Sequence, residues 1–177
     1  MPPRQLSTEI AHENPWYYVR HDKVEWPNGH EGDYFIVDGE AGCAIIVVQD
    51  DKLLTVKQYR YPIGKENIEI PMGRVDGNES LEQTATRELV EETGYQAGHI
   101  QKIGVIYPNS GFCNNVIHIF VASDLSSSEQ ALGKEEHGLT FEWIPLDEWK
   151  RLIGQNMIID ADTLAAWALY CNQPLKS

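Results

Sequence analysis

The sequence predicts an α+β, or mixed α/β, fold in which helices cover the faces of a sheet. Three observations lead to this class. Apolar and polar residues alternate with the period of β-strands in several stretches. One central stretch has its apolar residues at helical spacing, and two further helices close the chain. Because strands and helices are interleaved without strict alternation, we expect a β-rich extension at residues 1–40 and a sheet-and-helix domain at 41–177.

The first elements are predicted to be strands. Residues 13–39 alternate apolar and polar side chains around a Pro-Asn-Gly turn, which predicts an antiparallel hairpin or meander. Residues 41–62 contain two apolar runs joined by an Asp-Asp turn, and the first run is predicted to be buried. Residues 66–72 are predicted to be extended.

A helix follows at residues 80–93. Ser80 is a suitable N-cap, Gln83 is placed to complete a capping box, and Gly94 is a natural residue to end the helix. The remaining patterns predict strands at 99–108, 114–125 and 139–146, a polar loop at 126–138, and helices at 146–153 and 160–172.

Composition and charge exclude several function classes. The 177-residue chain carries a formal net charge of -13, and a field of that sign repels nucleic acid and anionic lipid. No apolar run is long enough to cross a bilayer, and the first residues lack the apolar core of a signal peptide. The three cysteines are scattered, as is typical of reduced thiols. We therefore expect a cytoplasmic protein that binds neither nucleic acid nor membranes and that needs a cation to hold an anionic metabolite.

The central helix places two glutamates on its apolar face. At about 100° per residue, Leu81, Ala85 and Leu89 form a stripe that is about 80° wide. Glu88 and Glu92 fall about 20° to either side of Leu81 by the same arithmetic. A glutamate face that is merely solvated would lie opposite the stripe. These two carboxylates are therefore predicted to face the body of the protein.

Such a placement needs a compensating cation. Two carboxylates about 6 Å apart repel each other by roughly 3 kcal/mol at an effective dielectric constant of about 20. Glu91 adds a third charge on the flank of the stripe, and Arg87 points away from Glu92. Hard oxygen ligands favour Mg²⁺, Mn²⁺ or Ca²⁺. The alternative is an acidic helix end that tolerates its charge, although carboxylates near a helix C-terminus oppose the helix dipole.

The residues around this helix form a longer pattern, G-x5-E-x7-R-E-L-x-E-E-x-G-Y. It resembles the Nudix box, the signature of the Nudix hydrolase family. Every fixed polar and glycine position of the box is filled, and only the final aliphatic position departs from it, with a tyrosine. The matching residues are Gly73, Glu79, Arg87, Glu88, Leu89, Glu91, Glu92, Gly94 and Tyr95.

The resemblance implies a fold and a metal site. The family fold is an α/β/α sandwich with a mixed sheet, and its box glutamates bind Mg²⁺ or Mn²⁺ to cleave a nucleoside diphosphate linked to another moiety. By this resemblance, Glu88 and Glu92 are the main metal ligands, and Glu91 is a further ligand or the base that orients water. The Met72 carbonyl completes the metal shell. Arg87 is expected to pair with Glu79 and orient the helix.

Segments outside the box resemble the ADP-ribose pyrophosphatase branch, which includes sugar-nucleotide hydrolases. These segments are VKQYRYP, EIPMG and YPNSGFCNNVIHIFVASDL. The branch implies that Arg60 contacts the substrate's phosphate or ribose region and that Glu69 assists it. The expected products are a nucleoside monophosphate and a phosphosugar. Ser110 stands where the branch often has a proline that marks ADP-ribose activity, so the sugar nucleotide is left open.

Two more expectations come from the branch. An acidic cluster before the last strand often supplies a general base, which here is Glu135 or, as we predict, Glu136. The N-terminal strands often form a two-fold dimer in which an aromatic side chain stacks on the base, and Trp26 is the candidate for that contact. A homodimer is therefore expected.

Two other functions compete with this hydrolase. One is a non-catalytic Nudix module that senses a nucleotide. The intact set of box glutamates argues against it. The other is a Nudix pyrophosphatase of nucleoside triphosphates or dinucleotides, and the extension and the segments around Arg60 and Glu69 argue against that alternative.

Overall fold

The computed structural model describes residues 1–133 and 138–173. It contains short and long strands, three α-helices and a 3₁₀ turn at Tyr61–Ile63. The helices are α1 (Leu81–Thr93), α2 (Leu146–Gly154) and α3 (Ala161–Cys171). The strands are β1 (Arg4–Glu13), β2 (Tyr18–Glu25), β3 (Glu31–Asp38), β4 (Gly42–Ile46), β5 (Val48–Gln49), β6 (Lys52–Arg60), β7 (Lys65–Glu69), β8 (Met72–Arg74), β9 (Tyr95–Ile106), β10 (Ile117–Ser127) and β11 (Thr140–Pro145).

The strands form three sheets. One has the order β1-β2-β3, the second has the order β8-β4-β10-β9, and the third has the order β11-β6-β5 with β7 also paired to β6. The pairing of β4 with β10 is parallel, whereas the other pairings are antiparallel. The second sheet is therefore mixed, as the sequence predicted.

The chain divides into two compact units. The N-terminal unit contains Met1–Ala41 and Tyr107–Val116, and the main unit contains Gly42–Ile106 and Ile117–Ser177. No helix in the described part of the chain has the length and apolar character needed to cross a membrane.

The core of the main unit lies on both faces of its sheet. Successive side chains of β4 point to opposite faces. Ala44 and Ile46 join a cluster that contains Trp149 of α2 and Ala166 of α3. The alternate β4 residues join a second cluster with Ala85 and Leu89 of α1; they are Cys43 and Ile45. Helices thus cover both faces, which confirms the predicted sandwich.

Helix α1 begins and ends where its sequence predicts. The Ser80 hydroxyl accepts a hydrogen bond from the Gln83 backbone N–H at 3.2 Å, and the Gln83 side chain accepts from Ser80 N–H at 2.8 Å. This capping box satisfies two of the backbone donors that a helix start leaves unpaired. Gly94 ends the helix in the left-handed conformation, with φ 68°. The local sequence therefore sets the register of the glutamates on this helix.

The N-terminal unit is an antiparallel sheet with a loop attached to it. The predicted hairpin is present as β2 and β3, and the sequence did not predict the outer strand β1. Every residue of β1 is exposed, so the strand has no apolar face that its sequence would show as an alternating pattern. The backbone of the loop residue Cys113 forms an isolated parallel β-bridge with Val37. The Asn114 side-chain amide donates a hydrogen bond to Asp38.

Candidate active site

Helix α1 buries two of its glutamates. Glu88 is 5 % exposed and Glu92 is 2 % exposed, whereas Glu82 on the outer face is exposed. Ala85 and Leu89 on the inner stripe are fully buried. The predicted orientation of the helix is confirmed. Burial of two carboxylates on one face is costly unless each is hydrogen-bonded or paired with a cation.

The strand before the helix shapes the space around Glu88. The Glu88 carboxylate lies against the Cα atom of Gly73, where a Cβ atom would be 2.0 Å from its Cδ and Oε1 atoms. No side chain larger than hydrogen fits at this position without moving the carboxylate. Gly73 belongs to β8, which pairs with β4. The pairing of β8 with β4 therefore holds a residue without a side chain against the buried carboxylate of Glu88. We call this contact the Gly73 cradle.

Glu92 is bound to the same strand. Its Oε2 atom accepts a hydrogen bond from the Met72 backbone N–H at 3.0 Å. This contact brings the C-terminal half of α1 next to β8. Met72 and the carboxylates of Glu88 and Glu92 therefore lie at the junction of the helix and the strand.

Arg87 donates hydrogen bonds to the carboxylates of Glu79, Glu88 and Glu91. Its Nε atom donates to both oxygens of Glu79, at 2.9 and 3.1 Å, and its Nη1 atom donates to Glu88 at 2.7 Å and to Glu91 at 3.0 Å. Hydrogen bonds to Glu79 and the charges of the neighbouring glutamates raise the pKa of Arg87 above its ordinary value. In return, the Arg87 hydrogen bonds lower the pKa of Glu79. The expected pairing of Arg87 and Glu79 is present.

A second charged pair lies at the ends of β6 and β7. Arg60 binds Glu69 with two parallel hydrogen bonds, from Nε at 2.8 Å and from Nη2 at 2.5 Å. Glu69 is fully buried, whereas the Arg60 side chain is 41 % exposed. Hydrogen bonding to Glu69 raises the pKa of Arg60, and the Glu92 charge contributes to the shift. The pair therefore lies within electrostatic reach of the α1 carboxylates.

Two further partners of Glu69 were not predicted from the sequence. Asn67 donates to its Oε1 atom at 3.0 Å, and Gln58 donates to its Oε2 atom at 3.4 Å. With Arg60, these residues fill the hydrogen-bonding capacity of the buried carboxylate on both oxygens. Their only sequence signal is spacing, because Gln58 and Asn67 each stand two positions before Arg60 and Glu69 and so share their faces of the strands.

Two stretches of the chain match known protein families. Residues 40–166 match the NUDIX domain. The chain belongs to the Nudix family. Residues 4–37 of this Nudix protein match a second family, described as the nucleoside diphosphate sugar hydrolase N-terminal domain. Both the box and the extension resemblance predicted from the sequence are therefore confirmed.

Curated relatives and a solved structure agree with this assignment. The chain is 36 % identical over 148 residues to an ADP-ribose pyrophosphatase of Bacillus subtilis, covering 82 % of this chain and 80 % of the relative. It is 28 % identical over 163 residues to an ADP-ribose pyrophosphatase of Mycobacterium tuberculosis, covering 90 % and 79 %. It is also 35 % identical over 147 residues to a methanol dehydrogenase activator of Bacillus methanolicus, covering 82 % and 80 %.

The solved structure shows the same fold. A crystal structure described as an ADP compounds hydrolase superposes with a TM-score of 0.85 and 23 % identity, covering 97 % of this chain and 93 % of the other. Together with the Nudix match, the similarity to ADP-ribose pyrophosphatases identifies this protein as a pyrophosphohydrolase.

Nudix hydrolases generally act with a divalent metal ion, and the donor set here fits one. Carboxylate and backbone carbonyl oxygens are the ligands that hard cations prefer. The Gly73 cradle leaves the Glu88 carboxylate room beside the backbone. Within residues 1–133 and 138–173, however, no three His, Cys, Asp or Glu side chains are grouped to hold one metal ion together. Glu88 and Glu91 each accept a hydrogen bond from Arg87, and Glu92 accepts one from the Met72 backbone.

The other predicted residues belong to the N-terminal unit or fall outside the described residues. Trp26 belongs to the N-terminal unit, where its ring lies 5.5 Å from that of His30 and 5.9 Å from that of Tyr34. Ser110 lies in the loop of the same unit. Glu136 falls in residues 134–137, which the structure does not describe. The roles of Trp26 and Glu136 stay predictions.

Proposed function

We propose that this protein hydrolyses the pyrophosphate bond of ADP-ribose or another sugar nucleotide and releases a nucleoside monophosphate and a phosphosugar. The observation that carries the proposal is the burial of Glu88 and Glu92 at the junction of α1 and β8, next to Met72. The relatives named as ADP-ribose pyrophosphatases support the substrate class.

The proposed metal is Mg²⁺, with Mn²⁺ as a substitute. Glu88, Glu92 and the Met72 carbonyl would hold it, and Glu91 would be either a ligand or the base that orients water. When bound, the cation would screen the diphosphate, polarise phosphorus and lower the pKa of a bound water. Arg87 would keep the glutamates in register, because its guanidinium contacts Glu88 and Glu91 at once.

Arg60 and Glu69 are proposed to bind the substrate as a unit. Glu69 is buried and fully hydrogen-bonded, so its role is to orient Arg60 rather than to touch substrate. Nε and Nη2 of Arg60 are used on Glu69, while the side chain remains 41 % exposed. An arginine held in this way presents its other guanidinium donors to a phosphate without a large entropy loss.

Further parts of the proposal depend on the N-terminal unit and on the undescribed loop. Glu136 is proposed as the loop base, and Trp26 as a contact to the base of the nucleotide. A homodimer formed through the N-terminal unit is proposed because β1 is exposed along its whole length and forms the edge of its sheet. The acidic charge and the metabolite substrate are consistent with a cytoplasmic enzyme.

The decisive experiment is a panel of sugar nucleotides and dinucleotides incubated with the protein and Mg²⁺, with nucleoside monophosphate release as the measurement. We expect metal-dependent release from at least one compound. Glu92→Gln should lower the rate by about 100-fold or more, because a neutral amide is a poor ligand for Mg²⁺. The variant should still fold, since the amide oxygen still accepts from the Met72 N–H.

Glu82→Gln is the matched control, because Glu82 is an exposed glutamate of the same helix. It should leave the rate unchanged. Absence of metal-dependent release from every compound, or full activity in Glu92→Gln, would overturn the proposed function. Nucleotide binding without turnover would instead favour a sensing module.

A further inference from the structure

The first turn of α3 is hydrogen-bonded to the residue that follows Glu69, the carboxylate partner of Arg60. Asp160 caps the helix by accepting a hydrogen bond from the Thr163 N–H at 2.7 Å. The Thr163 hydroxyl in turn accepts from the backbone N–H of Ile70, the residue after Glu69, at 3.2 Å. Thr163 is fully buried, so this contact is part of the packed interior. The start of the helix is therefore held beside the end of β7.

Asp162 lies in this turn and has an unusual environment. Its Oδ1 atom is buried and has no hydrogen-bond partner among the described residues. The charged groups that act on it electrostatically are Asp160 from its own helix cap, Glu69 from β7 and Arg60 from β6. A buried carboxylate oxygen without a partner is destabilising, so this position is not explained by folding alone.

We propose that Asp162 is a positioning residue whose charge controls how strongly Arg60 attracts the substrate's phosphates. The proposal rests on the proposed function, because it takes Arg60 as the phosphate contact. Glu69 already occupies the Nε and Nη2 donors of Arg60. An ionised Asp162 attracts the remaining positive charge of the guanidinium and also repels the diphosphate. A protonated Asp162 does neither.

The charge of Asp162 changes near neutral pH. Burial, followed by the charges of Asp160 and Glu69, raises the pKa of Asp162 to about 6, while Arg60 opposes the shift. An anionic ligand binds more tightly to the form of the protein that has one negative charge fewer. Substrate affinity should therefore be higher below this pKa and should fall as Asp162 ionises. The diphosphate bridge of the substrate stays ionised throughout and adds no titration of its own.

The test compares KM and kcat of the wild-type protein and Asp162→Asn from about pH 5.5 to about pH 8, at saturating Mg²⁺. In the wild type, KM should rise about threefold to tenfold across this range, and this change corresponds to one unit charge acting within the site. In Asp162→Asn, KM should stay near its low-pH value. The effect on kcat should be the smaller one, because the interaction is present in both the bound substrate and the transition state.

Asp147→Asn is the matched control, since Asp147 is an exposed aspartate in the first turn of α2. It should keep the wild-type pH profile. If Asp162→Asn folds poorly, Asp162→Ser removes the same charge and suits the first turn of a helix. A purely structural role would lower the melting temperature and leave the shape of the KM profile unchanged.

The outcomes separate this inference from the proposed function. If wild-type turnover occurs and the KM profiles of wild type and Asp162→Asn coincide at every pH, the role of Asp162 is wrong while the hydrolase stands. If no compound of the panel is hydrolysed, the proposed function fails, and the role of Asp162 fails with it.

Discussion

The main unit and the N-terminal unit are stabilised in different ways. The main unit has an apolar cluster on each face of its sheet, and each cluster includes side chains from a covering helix. The N-terminal unit has a single buried apolar side chain, Val24, together with the buried aspartates Asp22 and Asp38. Burial of apolar area is the main source of folding free energy. The folding of the N-terminal unit therefore depends more on strand pairing and on polar contacts.

Polar side-chain contacts link the strands of the N-terminal unit, which buries little apolar surface between them. The His21 ring lies between two carboxylates, with Nδ1 3.1 Å from Glu9 and Nε2 2.7 Å from Asp33. It also stacks on Phe35 with 4.5 Å between ring centroids. The ring can donate to both carboxylates at once only when both of its nitrogens are protonated. One histidine thus joins all three strands of the sheet.

The contrast shows that the glutamates of the candidate site lie in the unit that has the larger buried core. Glu88 and Glu92 are held by a capped helix and a buried core, and Glu88 also by the Gly73 cradle, which suits the metal ligands that we propose them to be. The N-terminal unit exposes large apolar side chains on its strands and loops, as is typical of surfaces that bind partners. These side chains are Leu6, Ile10, Trp16, Tyr17, Tyr18, Tyr34 and Phe35.

The largest expected effect is at the cradle of the main unit. Gly73→Ala places a Cβ atom on the Glu88 carboxylate, and the flexible end of Glu88 must move away. We expect kcat/KM to fall by about 100-fold or more, because a ligand displaced by about 1 Å loses that much catalysis. Steady-state kinetics with Mg²⁺ measures the loss, and circular dichroism checks that the fold is kept.

Gly154→Ala is the matched control for that substitution. Gly154 ends α2, and a Cβ atom there meets nothing within 4 Å. Activity should be unchanged, and stability should stay the same or rise by about 0.5–1 kcal/mol. Full activity in Gly73→Ala would show that Glu88 is not confined as we describe.

The second prediction compares the stability of the two units directly. Ile119 is fully buried in the main unit, so Ile119→Ala should lower the free energy of unfolding by about 2–5 kcal/mol. Ile10 is 55 % exposed on β1, so Ile10→Ala should change it by less than about 0.5 kcal/mol in the monomer. Urea unfolding at low protein concentration measures both. Equal costs at the two positions would contradict the contrast between the units.

A third prediction concerns the proposed homodimer. Ile10→Asp puts a charge on the exposed edge strand, and a charge at the centre of an apolar interface opposes association. Light scattering coupled to size-exclusion chromatography should show a dimeric wild type and a shift toward monomer in the variant. A monomeric wild type would rule out the dimer. An unchanged dimer in Ile10→Asp would place the interface elsewhere.

The smallest expected effect is the pH dependence of the N-terminal sheet. Hydrogen bonds to Asp33 and then to Glu9 raise the pKa of His21. A raised pKa in the folded state means that the stabilisation is fully present below the unfolded pKa of about 6.5 and is lost as pH rises through the folded value. Hydrogen exchange of the β1 and β2 amides should therefore speed up with pH beyond the intrinsic rate, and less so in His21→Gln.

His99→Gln serves as the control for that measurement, because His99 is an exposed histidine on β9 of the main unit. Exchange in β1 and β2 should follow the wild type in this variant. Identical exchange profiles in wild type and His21→Gln would show that the contacts of His21 with Glu9 and Asp33 contribute nothing measurable.

Much of the candidate site follows from local sequence. The helix, its cap at Ser80, its end at Gly94 and the inward direction of Glu88 and Glu92 depend on residues within a few positions of one another. The 3.6-residue period then places the glutamates relative to the apolar stripe. The pairing of Arg87 with Glu79 also lies within this segment, which is why the motif indicated it.

The remaining features needed the tertiary structure. Asn67 and Gln58 reach Glu69 only because β6 and β7 pair in one register, and a shift of one residue would turn them to the other face. Asp162 comes within electrostatic range of Arg60, about a hundred positions away along the chain, because α3 packs beside the end of β7. The strand β1 had no periodic signal because both of its faces are exposed.

The sequence by itself thus determined the class of fold, the helix that carries the inward glutamates and the family of enzymes to which the chain belongs. Only the tertiary structure decided the surroundings of Arg60, the exposure of the N-terminal sheet and the burial of the Asp162 Oδ1 atom. The physical reason is distance along the chain. Covalent geometry sets the positions of neighbours on one helix, whereas contacts between distant residues depend on how whole elements pack against one another.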